Sequence, residues 1–201
     1  MTTGVRFGPI PQNAVHLCVD MQRLFADPTF WQTPWMARVL PTVVRLCEAR
    51  AAQTCFTRFL PVASPDEAWG QWRRYWRHWA PLTLEHLDPG LVELVPELRL
   101  FTPPARVVDK LTYSPWTDTD LAPRLRNDGV DCLVVSGAET DVCVLATVLG
   151  AVDLGFRVVI VSDAVCSSSD KAHDALVDLY HDRFSHQIET AECDEVLDTW
   201  A

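Results

Sequence analysis

The chain has 201 residues, of which 48% are hydrophobic and 22% charged, with 17 basic against 27 acidic side chains and a formal charge of -10. A chain of this length can bury roughly two-thirds or more of its unfolded surface in one folded unit, so a single domain over 1–201 is expected, and the acidic balance argues against a nucleic-acid partner because phosphate binding needs a basic face. No apolar run approaches the ~20 residues of a membrane helix, and the opening MTTGVRFGPIPQ lacks the apolar core of a secretory signal, so the expectation is a cytoplasmic protein with no membrane partner.

Along the chain, short β-rich apolar runs alternate with helical spacing. AVHLCVD (14–20) reads as a buried strand, Pro34 to Ala52 as a helix with Val39, Val43 and Leu46 inward, and QTCFTRF (53–59) as a second strand. DEAWGQWRRYWRHWA (66–80) then sets Trp69, Trp72, Trp76 and Trp79 at helical spacing, with Arg73, Arg74 and Arg77 between them. That pattern predicts a helix packing its indoles on the sheet or on a second subunit; the alternative is a lid whose arginines draw in an anionic substrate. Strands follow at ARVVDK (105–110), VDCLVVSG (130–137) and FRVVIVSD (156–163), with SHQIET (185–190) as a short last one. Helical spacing fills Thr119–Arg126, Asp141–Leu154 and Ser169–Phe184. Continuous rather than alternating hydrophobicity in the strands means that both faces are covered. The fold class expected is α/β, a three-layer α/β/α sandwich with a central, mainly parallel six-stranded sheet.

Ligands in such folds collect at the carboxyl ends of the strands. Three reactive side chains stand there: Asp20 in DMQRLF, Lys110 in VVDKLTYSPW and Cys143 in SGAETDVCVLATV. Each alone has an ordinary reading, as a turn aspartate, a solvated lysine or a packing cysteine. Thr140 or Asp141 is a candidate N-cap that would place the Cys143 sulfur in the first helical turn. There the helix dipole and a nearby ammonium are expected to lower the thiol pKa from about 8.5 by one to several units. The seven cysteines are odd in number and contain no C-x-x-C pair, so neither a disulfide framework nor a zinc site is expected. The six histidines (16, 78, 86, 173, 181, 186) show no metal-ligand spacing. A cysteine–histidine dyad with His173 or His186 is a weaker alternative to Asp20 as base. No G-x-S-x-G elbow is present for a serine nucleophile, and DMQRLF stands where a dinucleotide-binding fold would carry G-x-G-x-x-G.

DMQ after the first strand, DK before an aromatic-rich turn after the third, and GAETDVC ahead of an apolar helix resemble the isochorismatase-like cysteine hydrolases, which include nicotinamidases, N-carbamoylsarcosine amidases and ureidoacrylate hydrolases. The likeness runs from about Val15 to about Thr190. It implies an Asp20–Lys110–Cys143 triad, a cis peptide between Ala138 and Glu139, and an oxyanion hole formed by the backbone N–H groups of Glu139 and Cys143. The activity implied is cleavage of a C–N bond in a small amide, ureido or carbamoyl compound, and the family resemblance suggests a homodimer or homotetramer. Nicotinamidases carry an Asp-x-His…His metal cluster after the second strand, whereas TRFLPVASPDEAWG (57–70) has no histidine. Neither a metal nor another cofactor is therefore expected, and nicotinamide is disfavoured. Isochorismatases, which hydrolyse a vinyl ether, carry a small residue in place of the cysteine; ether hydrolysis and a non-enzymatic thiol or redox role are the alternatives. For substrate binding, Phe25, Tyr113 and Trp116 are candidate aromatic walls, and Arg58 is a candidate carboxylate or carbonyl clamp.

Overall fold

The structure is a computed structural model and describes residues 3–201. Strands β1 (Val15–Val19), β2 (Thr54–Phe59), β3 (Arg106–Lys110), β4 (Cys132–Ala138), β5 (Arg157–Cys166) and β6 (Ile188–Ala191) form one sheet in the order β3-β2-β1-β4-β5-β6. Every pairing in it is parallel. Among the described residues eight α-helices accompany them: α1 (Arg23–Ala26), α2 (Met36–Arg50), α3 (Gln71–His78), α4 (Pro96–Arg99), α5 (Leu121–Asn127), α6 (Cys143–Asp153), α7 (Asp170–Arg183) and α8 (Cys193–Thr199). None is long and apolar enough to cross a membrane.

The strand period of two sorts side chains between two cores. Cys18, Phe56, Val134 and Val159 pack with α2, α4 and α8 on one face, while Leu17, Val19, Leu133, Val135 and Ile160 pack with α5, α6 and α7 on the other. The expected three-layer sandwich is the observed one, and its sheet is wholly rather than mainly parallel. Strand order reverses between β1 and β4, since β2 and β3 lie to one side and β5 and β6 to the other. A crevice opens at the carboxyl ends of strands at such a switch point.

Sequence and structure part company in four places. β3 is an edge strand whose Arg106, Val107 and Asp109 are exposed, so coverage on both faces fails there and only Lys110 is buried. β5 runs on to Cys166, past the expected end at 163, because it takes a register shift against β4 and resumes pairing at Val165 and Cys166. The segment 66–80 is not one helix: Gly70 adopts φ 57, and 3₁₀ turns at Pro65–Glu67 and Ala80–Leu82 flank the eight residues of α3. Trp69 consequently leaves the indole stripe and is 88% exposed. The four-residue helices α1 and α4 are too short to show periodicity, and α8 buries only Cys193 and Val196.

Candidate active site

Asp20 follows the last residue of β1 with φ 50, a left-handed conformation that aspartate tolerates better than most side chains. Its backbone N–H donates to the carbonyl and hydroxyl of Thr57 on β2, both at 3.2 Å. Its carboxylate is held from two sides. The Thr57 hydroxyl donates to Oδ1 at 2.5 Å and Lys110 Nζ to Oδ2 at 2.7 Å, and the ion pair is essentially unexposed. The ammonium also donates to the Thr112 carbonyl at 3.1 Å and lies 5.2 Å from the centroid of the Phe59 ring. β3 and β1 are not neighbours, so it is the intervening β2 that spaces this pair, lending Thr57 and Phe59 to it.

Cys143 is the first residue of α6 and is 6% exposed. The expected cap is absent: Val142 occupies the N-cap position with no side-chain bond, the Thr140 hydroxyl pairs with His173 Nδ1 at 2.9 Å, and Asp141 accepts from Ser167 at 2.6 Å. The thiol pKa also departs from expectation. Burial first, and the Asp20 carboxylate second, push it well above the ordinary value, while Lys110 pulls the other way without prevailing. Burial opposes the charge on Lys110 as well, yet Asp20 and then Cys143 hold its pKa above the usual range. Desolvation of a sulfur this deep outweighs a first-turn dipole, and the lysine charge is already matched by Asp20. At rest the site holds a neutral thiol beside an ion pair.

Around the sulfur, the N–H groups of Thr140, Val142 and Val144 bond to Cys166 O, Glu139 O and Glu139 O at 2.9, 3.1 and 3.0 Å. Those of Glu139 and Cys143 donate to no protein acceptor among the described residues. The Ala138–Glu139 peptide is cis. Gly137, with φ 110, sits where a Cβ would lie 2.1 Å from the Val19 carbonyl oxygen, so only glycine lets β4 close against the end of β1.

A cavity of about 340 Å³ opens over Cys143. Its walls are aromatic: Phe25 from α1, Phe30 and Trp31 from the loop before α2, Phe59 from the end of β2, Tyr75 from α3, Trp79 just after it, and Tyr113 from the turn after β3. Gln32, Ser168 and Glu139 supply the polar lining. Trp31 is the hub, with ring centroids 5.5 Å from Trp79, 5.9 Å from Trp76 and 6.1 Å from Phe59. Burial raises the pKa of both Tyr75 and Tyr113, which keeps the phenols neutral.

Of the candidate binding residues, Phe25 and Tyr113 line this cavity and Arg58 and Trp116 do not. The Arg58 guanidinium is tied to Asp109 at 2.7 and 3.0 Å and to Glu93 at 3.0 Å, because alternation along β2 turns it away from the side that carries Thr57. Trp116 instead stacks on Phe156 with centroids 5.8 Å apart, donates to the Thr147 carbonyl at 2.8 Å, and rests where a Cβ on Gly150 would be 2.3 Å from its ring. The arginines of α3 point elsewhere too: Arg73 donates to the Ala68 carbonyl, Arg77 to Asp66, and Arg74 is exposed. Neither His173 nor His186 lines the cavity.

Sequence reasoning missed Thr57, Gln22 and the residues of the 30–33 loop. Gln22 is fully buried, donating to the Phe59 and Val92 carbonyls at 3.1 and 2.8 Å and accepting from the Phe59 N–H at 2.7 Å. It stands inside DMQ, so the motif carried the signal, whereas Trp31 lies in a loop with no periodicity to mark it. Among the described residues no group of three His, Cys, Asp or Glu side chains is placed to hold a metal ion. The residues present do not fit the metal cluster of nicotinamidases.

Comparison with known proteins gives a consistent answer. The chain is 28% identical over 169 residues to Nicotinamidase 3 of Arabidopsis thaliana, covering 83% of this chain and 80% of the relative. It superposes on a cysteine hydrolase from Pseudomonas syringae pv. phaseolicola 1448A with a TM-score of 0.83 and 26% identity, covering 98% and 97% of the two chains. The N-carbamoylsarcosine amidase of Thermoplasma acidophilum shares the fold at a TM-score of 0.73 and 20% identity, with 92% and 97% covered. The family model described as the isochorismatase domain matches residues 14–192, and the chain belongs to the isochorismatase family.

Proposed function

We infer that the chain is a metal-independent cysteine amidohydrolase that cleaves a C–N bond of a small amide, ureido or carbamoyl compound through a thioester on Cys143. The observation that carries this reading is the buried Asp20–Lys110 pair beside a thiol in the lining of an aromatic cavity. Similarity to a nicotinamidase and to a cysteine hydrolase supports it. The presence of Cys143 favours amide over vinyl ether chemistry.

The raised thiol pKa sets the order of events. Because the thiolate is not stored, Asp20 takes the thiol proton as the sulfur attacks the carbonyl carbon. Lys110, on the other carboxylate oxygen, offsets the negative charge that then develops on sulfur. The tetrahedral oxyanion sits between the N–H groups of Glu139 and Cys143, donors left without a protein partner. Asp20 next passes its proton to the nitrogen, which leaves as ammonia or an amine. Water attacks the thioester, Asp20 accepts its proton, the acid departs and the thiol is restored. Removing one oxyanion donor in such chemistry costs about 100- to 1000-fold in kcat.

The test is ammonia release over a panel of small amides and ureas. Cys143→Ala is expected to lower kcat by at least about 1000-fold while leaving the circular dichroism spectrum and the unfolding midpoint near those of the wild type. A Cys143→Ala protein that turns over at the wild-type rate would remove the nucleophile and the reading with it.

A further inference from the structure

We propose that the cavity over Cys143 selects amides without a negative charge, and that the Glu139 side chain is the residue that enforces this. The proposal rests on the amidohydrolase reading and adds one restriction at the same site: the substrate is neutral or cationic and bears no carboxylate.

The case begins with charge. Not one lysine, arginine or histidine lines the cavity. Lys110, beneath its floor, is matched by Asp20 at 2.7 Å and has no net charge to offer a ligand. Arg58, which could have been a carboxylate clamp, is spent on Asp109 and Glu93. Both cavity phenols are kept neutral by burial. What remains is the Glu139 carboxyl group, placed by a bond from the Thr33 hydroxyl at 2.7 Å. Thr33 is buried, and its N–H is fixed to the Phe25 carbonyl at 2.8 Å, so the carboxyl group is tied to the loop that carries the cavity residues Phe30, Trp31 and Gln32. Seven aromatic rings complete the lining. Their faces carry negative potential, which favours flat neutral groups and cations and disfavours anions. The formal charge of -10 repels anions at longer range as well.

The same charges act on the product. Hydrolysis turns a neutral amide into a carboxylate in a cavity with no lysine, arginine or histidine to hold it and a glutamate in its lining. The acid should leave readily and inhibit weakly. Glu139 thus has two separable contributions: its backbone N–H faces the reacting carbonyl, and its side chain sorts substrates.

Terephthalamide and 4-carbamoylbenzoate test this, since they share one shape, differ by one charge, and the second is the hydrolysis product of the first; 4-(aminomethyl)benzamide supplies the cationic member. In wild-type protein, kcat/KM for the diamide and for the cation is expected to exceed that for the anion by about 100-fold, the consequence of placing like charges together. In Glu139→Gln the gap should close to about tenfold or less. Calorimetric binding of the same three compounds to Cys143→Ala protein reads the ranking without chemistry. Anion binding as tight as diamide binding in that protein, or an unchanged gap in Glu139→Gln, overturns the selectivity proposal. Binding in the expected order with no Cys143-dependent turnover supports the selectivity and overturns the amidohydrolase reading instead.

Discussion

Asp20 acts on Cys143 in two opposing ways, and a single substitution separates them. Its charge raises the thiol pKa, second only to burial, and its oxygen is the proposed acceptor of the thiol proton. In Asp20→Asn the charge goes and Lys110 remains, so the thiol pKa should fall and the thiolate fraction rise about tenfold for each unit of that fall. Iodoacetamide, followed by mass spectrometry of the Cys143 peptide, is therefore expected to label the variant faster than the wild type near neutral pH, while ammonia release is lost. Slower or unchanged labelling would show that the carboxylate does not control this sulfur. The variant also strands a buried ammonium, and breaking a buried pair by removing one partner costs about 3–5 kcal/mol, which urea denaturation would read. A non-enzymatic thiol protein would have no reason to keep a buried charge pair beside its cysteine, since packed apolar side chains in its place are often as stable or more so.

At the scale of the elements, the site depends on how closely β4 approaches β1. An alanine at Gly137 would bring its Cβ to 2.1 Å from the Val19 oxygen and 2.6 Å from its nitrogen, backbone atoms that cannot rotate away, immediately before Asp20. Gly137→Ala is expected to cost about 4 kcal/mol or more and to lower turnover in whatever protein still folds. Gly155 has a similarly positive φ, 88, but nothing within 4 Å, so Gly155→Ala should cost only the left-handed backbone term of about 1–2 kcal/mol. Equal losses for the two variants, by urea denaturation, would rule out the close approach as the cause. Features of this kind also show what could be read in advance. Most of the strands are legible because burial on both faces leaves unbroken apolar runs, β3 being the exception, and Asp20, Lys110 and Cys143 are legible because strand ends are where a parallel sheet delivers its ligands. The neighbours of each strand are not legible, and so neither is Thr57, which reaches Asp20 only because β2 happens to lie between β1 and β3. Arg58 and Trp116 were misplaced for the same reason: Asp109 and Phe156 capture them across distances in the chain that no local pattern reports. The cavity wall from the 30–33 loop had no periodicity to betray it, and the thiol pKa depended on a depth of burial that a motif does not carry.

Over the whole molecule, acid should weaken the fold through a residue that plays no part in the site. His16 lies in β1, the centre of the sheet, fully buried, with Nε2 at 2.7 Å from the Ser136 hydroxyl of β4 and Nδ1 at 3.1 Å from the Thr54 hydroxyl of β2. Cys47 of α2 is its other neighbour, at 4.0 Å. None of these can stabilise an imidazolium as a carboxylate would, and burial lowers the His16 pKa from 6.5 to about 3. Between those two values the unfolded chain binds a proton that the folded chain refuses, so stability is whole above the unfolded pKa and drains away as pH falls toward the folded one. At 1.36 kcal/mol per unit, the loss attributable to this one ring is about 2 kcal/mol at about pH 5 and about 4 kcal/mol near pH 3. His16→Gln keeps a side chain able to bond both hydroxyls but has nothing to protonate. Urea denaturation of both proteins at about pH 7.5 and about pH 5 should show the wild type losing about 2 kcal/mol more than the variant on acidification. Acid-linked losses from carboxylates are common to the two proteins and cancel in that difference. Parallel pH dependences would mean that the ring already finds a proton-accepting partner inside the sheet.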